Sequence, residues 1–218
     1  MEKVFKIGCL FFFATTLFGF IIGGMSACTA PHSTSENDSL SQDTLLHDSL
    51  EAETAEVKNI NIDSIVNVFR PDFIFKKDEF ENRTWIEPKN RPKYTNTNRI
   101  YCYFQLTDNT ASNFRLRIQY ASDDWLFIEN FKFNIDGNRN ITFVPEKMER
   151  DNDSSIWEWC DEHIDTEYKF LISALAHAKK AKVKFEGQQY YNTRNLTPEE
   201  LKYIKKTYEF YLALDGKF

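Results

Sequence analysis

An α+β fold is predicted for this chain: an antiparallel β-sheet or sandwich with two helices in its C-terminal half. Three observations predict it. Aromatic and polar residues alternate with a period of two in segment after segment from Phe73 to Cys160. Near Asp165 and again near Thr197 the apolar period switches to the 3.6 of a helix. The 20 Phe, 10 Tyr and 4 Trp supply ample core material, whereas 7 Gly and 6 Pro are few. With 218 residues, 42% hydrophobic and 28% charged, the composition fits one good-sized domain with appendages and excludes collagen-like and low-complexity classes.

The chain begins with an address. Lys3 and Lys6 precede an apolar run from Leu10 to Ile22, followed by small residues up to Cys28. A basic start, a short hydrophobic run and a small-residue cut site are the parts of a secretory signal. The run falls short of the ~20 apolar residues that a membrane-spanning helix needs. Met25-Ser26-Ala27-Cys28 resembles the bacterial lipobox. That resemblance implies cleavage before Cys28, a diacylglyceryl thioether on its sulfur and palmitate-type acylation of the new amino group. Residues 1–27 are therefore read as a lipoprotein signal peptide. Residues 28–58 are read as the lipidated Cys28 and a disordered acidic tether, with seven acids against the single base Lys58 and no aromatic residue. Residues 59–218 form the globular domain, which holds 25 acids and 24 bases. The net charge of −6 and pI near 5.3 argue against nucleic acid as the partner, and the excess of acid belongs to the tether.

Within the domain, Ile62, Ile65, Val66 and Phe69 predict a lead-in helix ending before Pro71. Phe73 with Phe75, and Thr84 with Ile86, predict a pair of strands. Residues 99–107 predict a strong strand, Asp108–Asn113 a loop, and Phe114, Leu116, Ile118 and Tyr120 the buried face of the returning strand. A long strand is expected over Asp124–Ile135, with Trp125, Phe127, Phe131 and Phe133 on one side. Asp136-Gly137 then turns the chain into Ile141–Val144. Ser155–Cys160 and Lys182–Tyr191 complete a rough count of eight strands. Asp165 or Thr166 caps the first C-terminal helix, whose apolar stripe is Phe170, Leu171, Ala174, Leu175 and Ala178. Thr197-Pro198-Glu199-Glu200 carries the capping-box signature of the second.

Motifs that carry chemistry are sparse. The sequence has no Cys-x-x-Cys or His-x-x-x-His spacing, no Gly-x-Ser-x-Gly and no glycine-rich phosphate loop, so neither metal nor cofactor is expected. Cys102 and Cys160 both fall in predicted strands, and a disulfide or two inward-facing free thiols fit them equally. Paired acids occur at Asp123-Asp124 and at Glu158 with Asp161. Two clusters combine charge with large aromatics: Asp124-Trp125, and Arg150-Asp151 followed by Trp157-Glu158-Trp159. Indole faces beside Arg and acidic hydrogen-bonders suit recognition of sugars or peptide segments, and the same tryptophans also suit a core. Asp124, Trp125, Arg150, Asp151, Trp157, Glu158 and Trp159 are the candidate binding residues.

Phe75-Lys76-Lys77-Asp78-Glu79-Phe80, the Asp124–Ile128 segment, Asp136-Gly137, Arg150-Asp151-Asn152 with Trp157-Glu158-Trp159, and Gly187 with Tyr190-Tyr191 together resemble an uncharacterised domain family. The family recurs in bacterial secreted proteins and lipoproteins. The resemblance spans about residues 70–214 and implies no activity, while the aromatic-rich, Asn-rich composition and the lipobox together suit a Bacteroides-like Gram-negative envelope. The leading expectation is a non-enzymatic envelope lipoprotein, anchored to the membrane through lipid, whose domain binds an envelope protein, a peptide or a glycan. The alternatives are a carboxylate-dependent hydrolase of cell-wall or glycan material, and an inhibitor lipoprotein of the lysozyme type.

Overall fold

The computed structural model describes residues 61–218, so the signal, Cys28 and the tether lie outside the described residues. The described residues form ten strands and three α-helices. Helix α1 (Ile62–Phe69) is capped by Asn61, whose side chain accepts from Ser64 N at 3.1 Å. Pro71 ends it in a short 3-10 turn. The strands are β1 (Phe73–Lys77), β2 (Thr84–Pro88), β3 (Arg99–Thr107), β4 (Thr110–Ser122), β5 (Ile128–Ile135), β6 (Arg139–Phe143), β7 (Glu149–Asn152), β8 (Ile156–His163), β9 (Ala181–Gly187) and β10 (Tyr191–Asn195). Helix α2 (Lys169–His177) follows β8, and α3 (Pro198–Ala213) closes the fold. Among these helices, none is long and apolar enough to cross a membrane.

All pairings are antiparallel, in a six-stranded sheet ordered β1-β2-β3-β4-β8-β7 and a four-stranded sheet ordered β10-β9-β5-β6. The alternation seen in the sequence decides which side of each sheet is buried. Ile100, Cys102 and Phe104 of β3 and Phe114, Leu116, Ile118 and Tyr120 of β4 point inward. Phe131 and Phe133 of β5, with Val183 and Phe185 of β9, do the same for the smaller sheet. Tyr120 of one sheet meets Phe185 of the other at 5.1 Å. Helix α3 covers the β3 side of the larger sheet, where Phe210 stacks on Phe69 at 4.4 Å and meets Phe104 edge-on at 5.4 Å. These groups belong to one continuous core.

The structure differs from the expected elements in instructive places. The loop between β3 and β4 is only Asp108-Asn109, both with positive φ (47° and 67°), as a two-residue hairpin requires. The stretch Lys182–Tyr191 is not one strand. The chain reverses after Gly187 to form the β9–β10 hairpin, with Gly187 N donating to Tyr190 O. The first C-terminal helix starts after Tyr168 rather than at Asp165 or Thr166, and Phe170 points to solvent while Leu171, Ile172 and Leu175 are buried. Residues 149–152 pair as an edge strand that the polar sequence Glu-Arg-Asp-Asn conceals. Cys102 and Cys160 are free thiols on the inner face. They sit on β3 and β8 with β4 between them and a two-residue offset along the strands, so they lie more than two strand spacings (about 9.6 Å) apart, beyond the ~7 Å that a disulfide spans. Burial pushes both thiols well above their usual range.

The capping box of α3 is present as predicted, and it does more than cap. Glu200 is 1% exposed. Its carboxylate accepts from Thr197 N at 2.7 Å, from Ile100 N of β3 at 2.8 Å, and from both terminal nitrogens of Arg194 at 2.8 and 2.9 Å. Burial works against its charge, but the Arg194 hydrogen bonds and the two backbone donors outweigh burial and hold the carboxyl below its ordinary 4.5. A folded-state value below the unfolded one adds stability that is complete above pH 4.5 and disappears as pH falls through the depressed value. Glu200→Gln is expected to cost about 3 kcal/mol at neutral pH, since it leaves Arg194 without its charge partner. Urea unfolding at stepped pH values below 5 checks this. The variant must lose less stability on acidification than the parent, and parallel curves would remove Glu200 as a source of the pH dependence.

Candidate functional site

Strand β5 begins at Ile128, not at Asp124, and the reason is a clamp. Glu158 lies on β8 between Trp157 and Trp159, so strand alternation sends it inward and the two tryptophans outward. The three residues therefore do not share one face. Glu158 is fully buried. Its Oε1 accepts from Leu126 N at 2.9 Å and Phe127 N at 3.0 Å, and its Oε2 from Ile128 N at 2.8 Å and Arg150 Nε at 3.0 Å. Four donors fill the acceptor positions of an ionised carboxylate. Arg150 also donates to Ile128 O at 3.2 Å. On the opposite side Gly187 packs so tightly that an added Cβ would lie 1.8 Å from Leu126 O, which makes glycine obligatory there. Residues 126–128 are thus held from β8, β7 and β9 at once.

The clamp turns Phe127 outward. Its φ is +54°, a left-handed conformation uncommon for a bulky residue, and its side chain is 50% exposed. The ring stacks on Trp125 at 5.8 Å with 20° between planes, and the Arg150 guanidinium lies 5.7 Å from its centroid. Trp125 is partly buried against the core. The result is a rigid rim of Trp125, Phe127 and Arg150, flanked by the exposed Asp123 and Asp124 in the bend after β4. Tyr190 and Tyr191 of the neighbouring hairpin are 47% and 50% exposed.

The remaining candidates lie elsewhere. Asp151 is exposed at the β7 edge and accepts from Asn152 N, a local turn contact. Trp157 and Trp159 sit on the outer face of the six-stranded sheet, opposite Ala121 and Gln119. On the same face Asp161 accepts from Tyr103 Oη at 2.7 Å, Arg115 Nε at 2.8 Å and Arg117 at 2.7 Å. Burial pushes the nearby Tyr101 phenol up to about 12. Glu158 and Asp161, three positions apart on one strand, therefore point to opposite faces and cannot act as an acid–base pair. Among the described residues, no three His, Cys, Asp or Glu side chains converge to hold a metal ion. The seven candidates from the sequence are Asp124, Trp125, Arg150, Asp151, Trp157, Glu158 and Trp159. The structure brings Trp125 and Arg150 together on the rim, buries Glu158 beneath them, and adds Phe127, whose outward turn the alternation pattern hid.

If the clamp holds the rim, Glu158→Gln should destabilise the fold by about 3 kcal/mol, because it removes the counter-charge of Arg150 and turns one acceptor atom into a donor facing backbone N–H groups. Denaturant midpoints, with amide hydrogen exchange at Leu126–Ile128, measure it. Unchanged protection of those three amides in the variant would show that the rim is held by something else. No family model, curated protein or solved structure matches the chain.

Proposed function

We propose that this chain is a cell-envelope lipoprotein, anchored through Cys28, whose domain is a non-enzymatic binding module engaging an envelope protein, peptide or glycan at the Trp125–Phe127–Arg150 rim. One observation carries the reading: Phe127 is a large aromatic held half exposed in a left-handed backbone conformation by a fully buried carboxylate. Such a conformation costs on the order of 1 kcal/mol and persists only where surrounding contacts over-determine it. A fold that needed only stability would place glycine there or let the strand continue. Two stacked rings with a guanidinium against them are the side chains that dominate binding energy at recognition surfaces. The lipobox and the acidic tether support an envelope location, with the domain held off the membrane.

Phe127→Gly separates binding from folding. Glycine relieves the positive φ while the half-buried ring is lost, so the net change in stability should stay within about 1 kcal/mol. In-cell crosslinking of the tagged full chain, read by mass spectrometry, should capture a stoichiometric partner that Phe127→Gly and Trp125→Ala lose while their unfolding midpoints hold. Capture that survives both substitutions rules out the rim as the binding site. Metabolic labelling with an alkyne palmitate analogue tests the anchor: label should enter the parent chain and be absent from Cys28→Ser. A labelled Cys28→Ser chain would end the lipobox reading.

A further inference from the structure

The outward side of the four-stranded sheet is a second surface that neither the core nor the rim uses. Its register sets side chains in rows across the strands. One row reads Thr193, Lys184, Lys132 and Thr142, and the next reads Asn195, Lys182, Asn134 and Asn140. At about 4.8 Å per strand a row is near 14 Å wide, and the two rows lie about 7 Å apart. All of these residues but Asn195 line a concavity of about 530 Å³. Lys132 and Lys184 stand directly opposite each other, a like-charge pairing that opposes sheet formation. Glu186 bridges them, meeting Lys132 at 2.7 Å and also Lys184, and these two contacts hold its carboxyl below the usual range. Three ammoniums against one carboxylate leave the face cationic. The Lys184 ammonium also sits 4.1 Å from the centroid of the half-exposed Tyr191 ring.

The chemistry of the rows selects a ligand class. Amides and hydroxyls both donate and accept, which matches the hydroxyls of a sugar. The Asn134 amide donates to the Asn140 carbonyl oxygen at 2.6 Å, leaving the Asn134 oxygen and the Asn140 amide hydrogens for a ligand. The positive charge is sparse for a surface of this width. Nucleic acid, with one charge per ~1.7 Å of duplex, calls for a denser basic stripe. A chain of many hydroxyls with an occasional carboxylate fits it better. We propose that this face is a binding site for an acidic glycan, with Lys182 and Lys184 pairing with its carboxylates and Asn134, Asn140, Thr142 and Thr193 bonding its hydroxyls. The site is distinct from the rim and does not rest on it.

The test is affinity electrophoresis of the full chain in detergent, through native gels containing polygalacturonate, neutral dextran or polyglutamate. Polygalacturonate should retard the chain more than either of the others. Lys182→Gln with Lys184→Gln should weaken that retardation about tenfold, the worth of one charge-assisted hydrogen bond. Removing the same charge from helix α3, as Lys202→Gln with Lys205→Gln, should change it less than about twofold. Asn134→Ala with Asn140→Ala alters no charge and should still weaken binding severalfold, and thermal melts confirm that each variant is folded. The proposal falls if polygalacturonate gives no retardation, if both lysine pairs weaken it equally, if the asparagine pair has no effect, or if polyglutamate retards the chain as strongly.

Discussion

No ladder hydrogen bond joins the six-stranded sheet to the four-stranded one among the described residues, so their mutual placement depends on what bridges them. The apolar core supplies most of the attraction but little direction, since burial of area is not directional. Direction comes from two buried glutamates used in the same way. Glu158 of β8 holds the backbone where β5 begins, with Arg150 of β7 as counter-charge. Glu200 of α3 takes Ile100 N of β3 and Arg194 of β10. Each carboxylate thus ties both sheets through backbone donors and one arginine. A third, weaker link joins Asn192 of β10 to the Tyr120 hydroxyl at 3.3 Å. Buried ion pairs seldom stabilise more than well-packed apolar groups of equal size. Their contribution here is registry: a carboxylate whose four hydrogen bonds come from separate segments of both sheets is satisfied in only one arrangement of them.

That registry explains the rim. Sequence alternation alone extends the strand back to Asp124, with Phe127 on the side of Phe131 and Phe133, and the contacts to Glu158 break that pattern. The clamp takes three successive amides out of the ladder pattern, and the register shift between Ile128 and Asn130 records the disturbance. Gly187 makes room for the displaced backbone. The outer face of the larger sheet behaves differently. Asp161, Arg115, Arg117 and Tyr103 satisfy one another there, and such a closed network stiffens a sheet without offering a group to a partner.

The fold class and the better strands were legible because period two and period 3.6 are direct projections of burial. The run 99–107 and the stripe Phe114–Tyr120 were readable residue by residue, and the Thr197–Glu200 capping box carried its own geometry. Where the candidate site was missed, polar residues take partners that the local pattern does not show; the tight turn at Asp108-Asn109 and the reversal after Gly187 were missed for local reasons. The pattern places Glu158 between two tryptophans, but only tertiary contact with residues 30 positions away makes it a clamp. Glu-Arg-Asp-Asn reads as a loop, and β8 makes it an edge strand. Phe127 looked like a core residue because alternation was extended through a bulge. One signal was present: Trp125-Leu126-Phe127-Ile128 is a continuous apolar run that does not fit the alternation of a half-exposed strand.

The same alternation that builds the core also dictates what is left outside. Every inward Phe131, Phe133, Val183 or Phe185 commits its neighbours to solvent, and on β5 and β9 those neighbours are Lys132, Asn134, Lys182 and Lys184. Stability alone would accept any mixture of polar residues there, and it would favour opposite charges across the strands. The facing pair Lys132 and Lys184 runs against that preference and is tolerated because Glu186 lies one pair along. The domain therefore departs from the most stable choice twice, once in its backbone at Phe127 and once in its surface charge at Lys132 and Lys184. In both places a glutamate compensates, Glu158 from within the core and Glu186 from the sheet surface. The first departure lies against Gly187, where β9 passes into the turn before β10, and Tyr190 and Tyr191 of that hairpin are half exposed. Local rules broken with compensation nearby, beside groups suited to recognition, mark the two surfaces proposed to bind, where stability alone would have made the fold more regular.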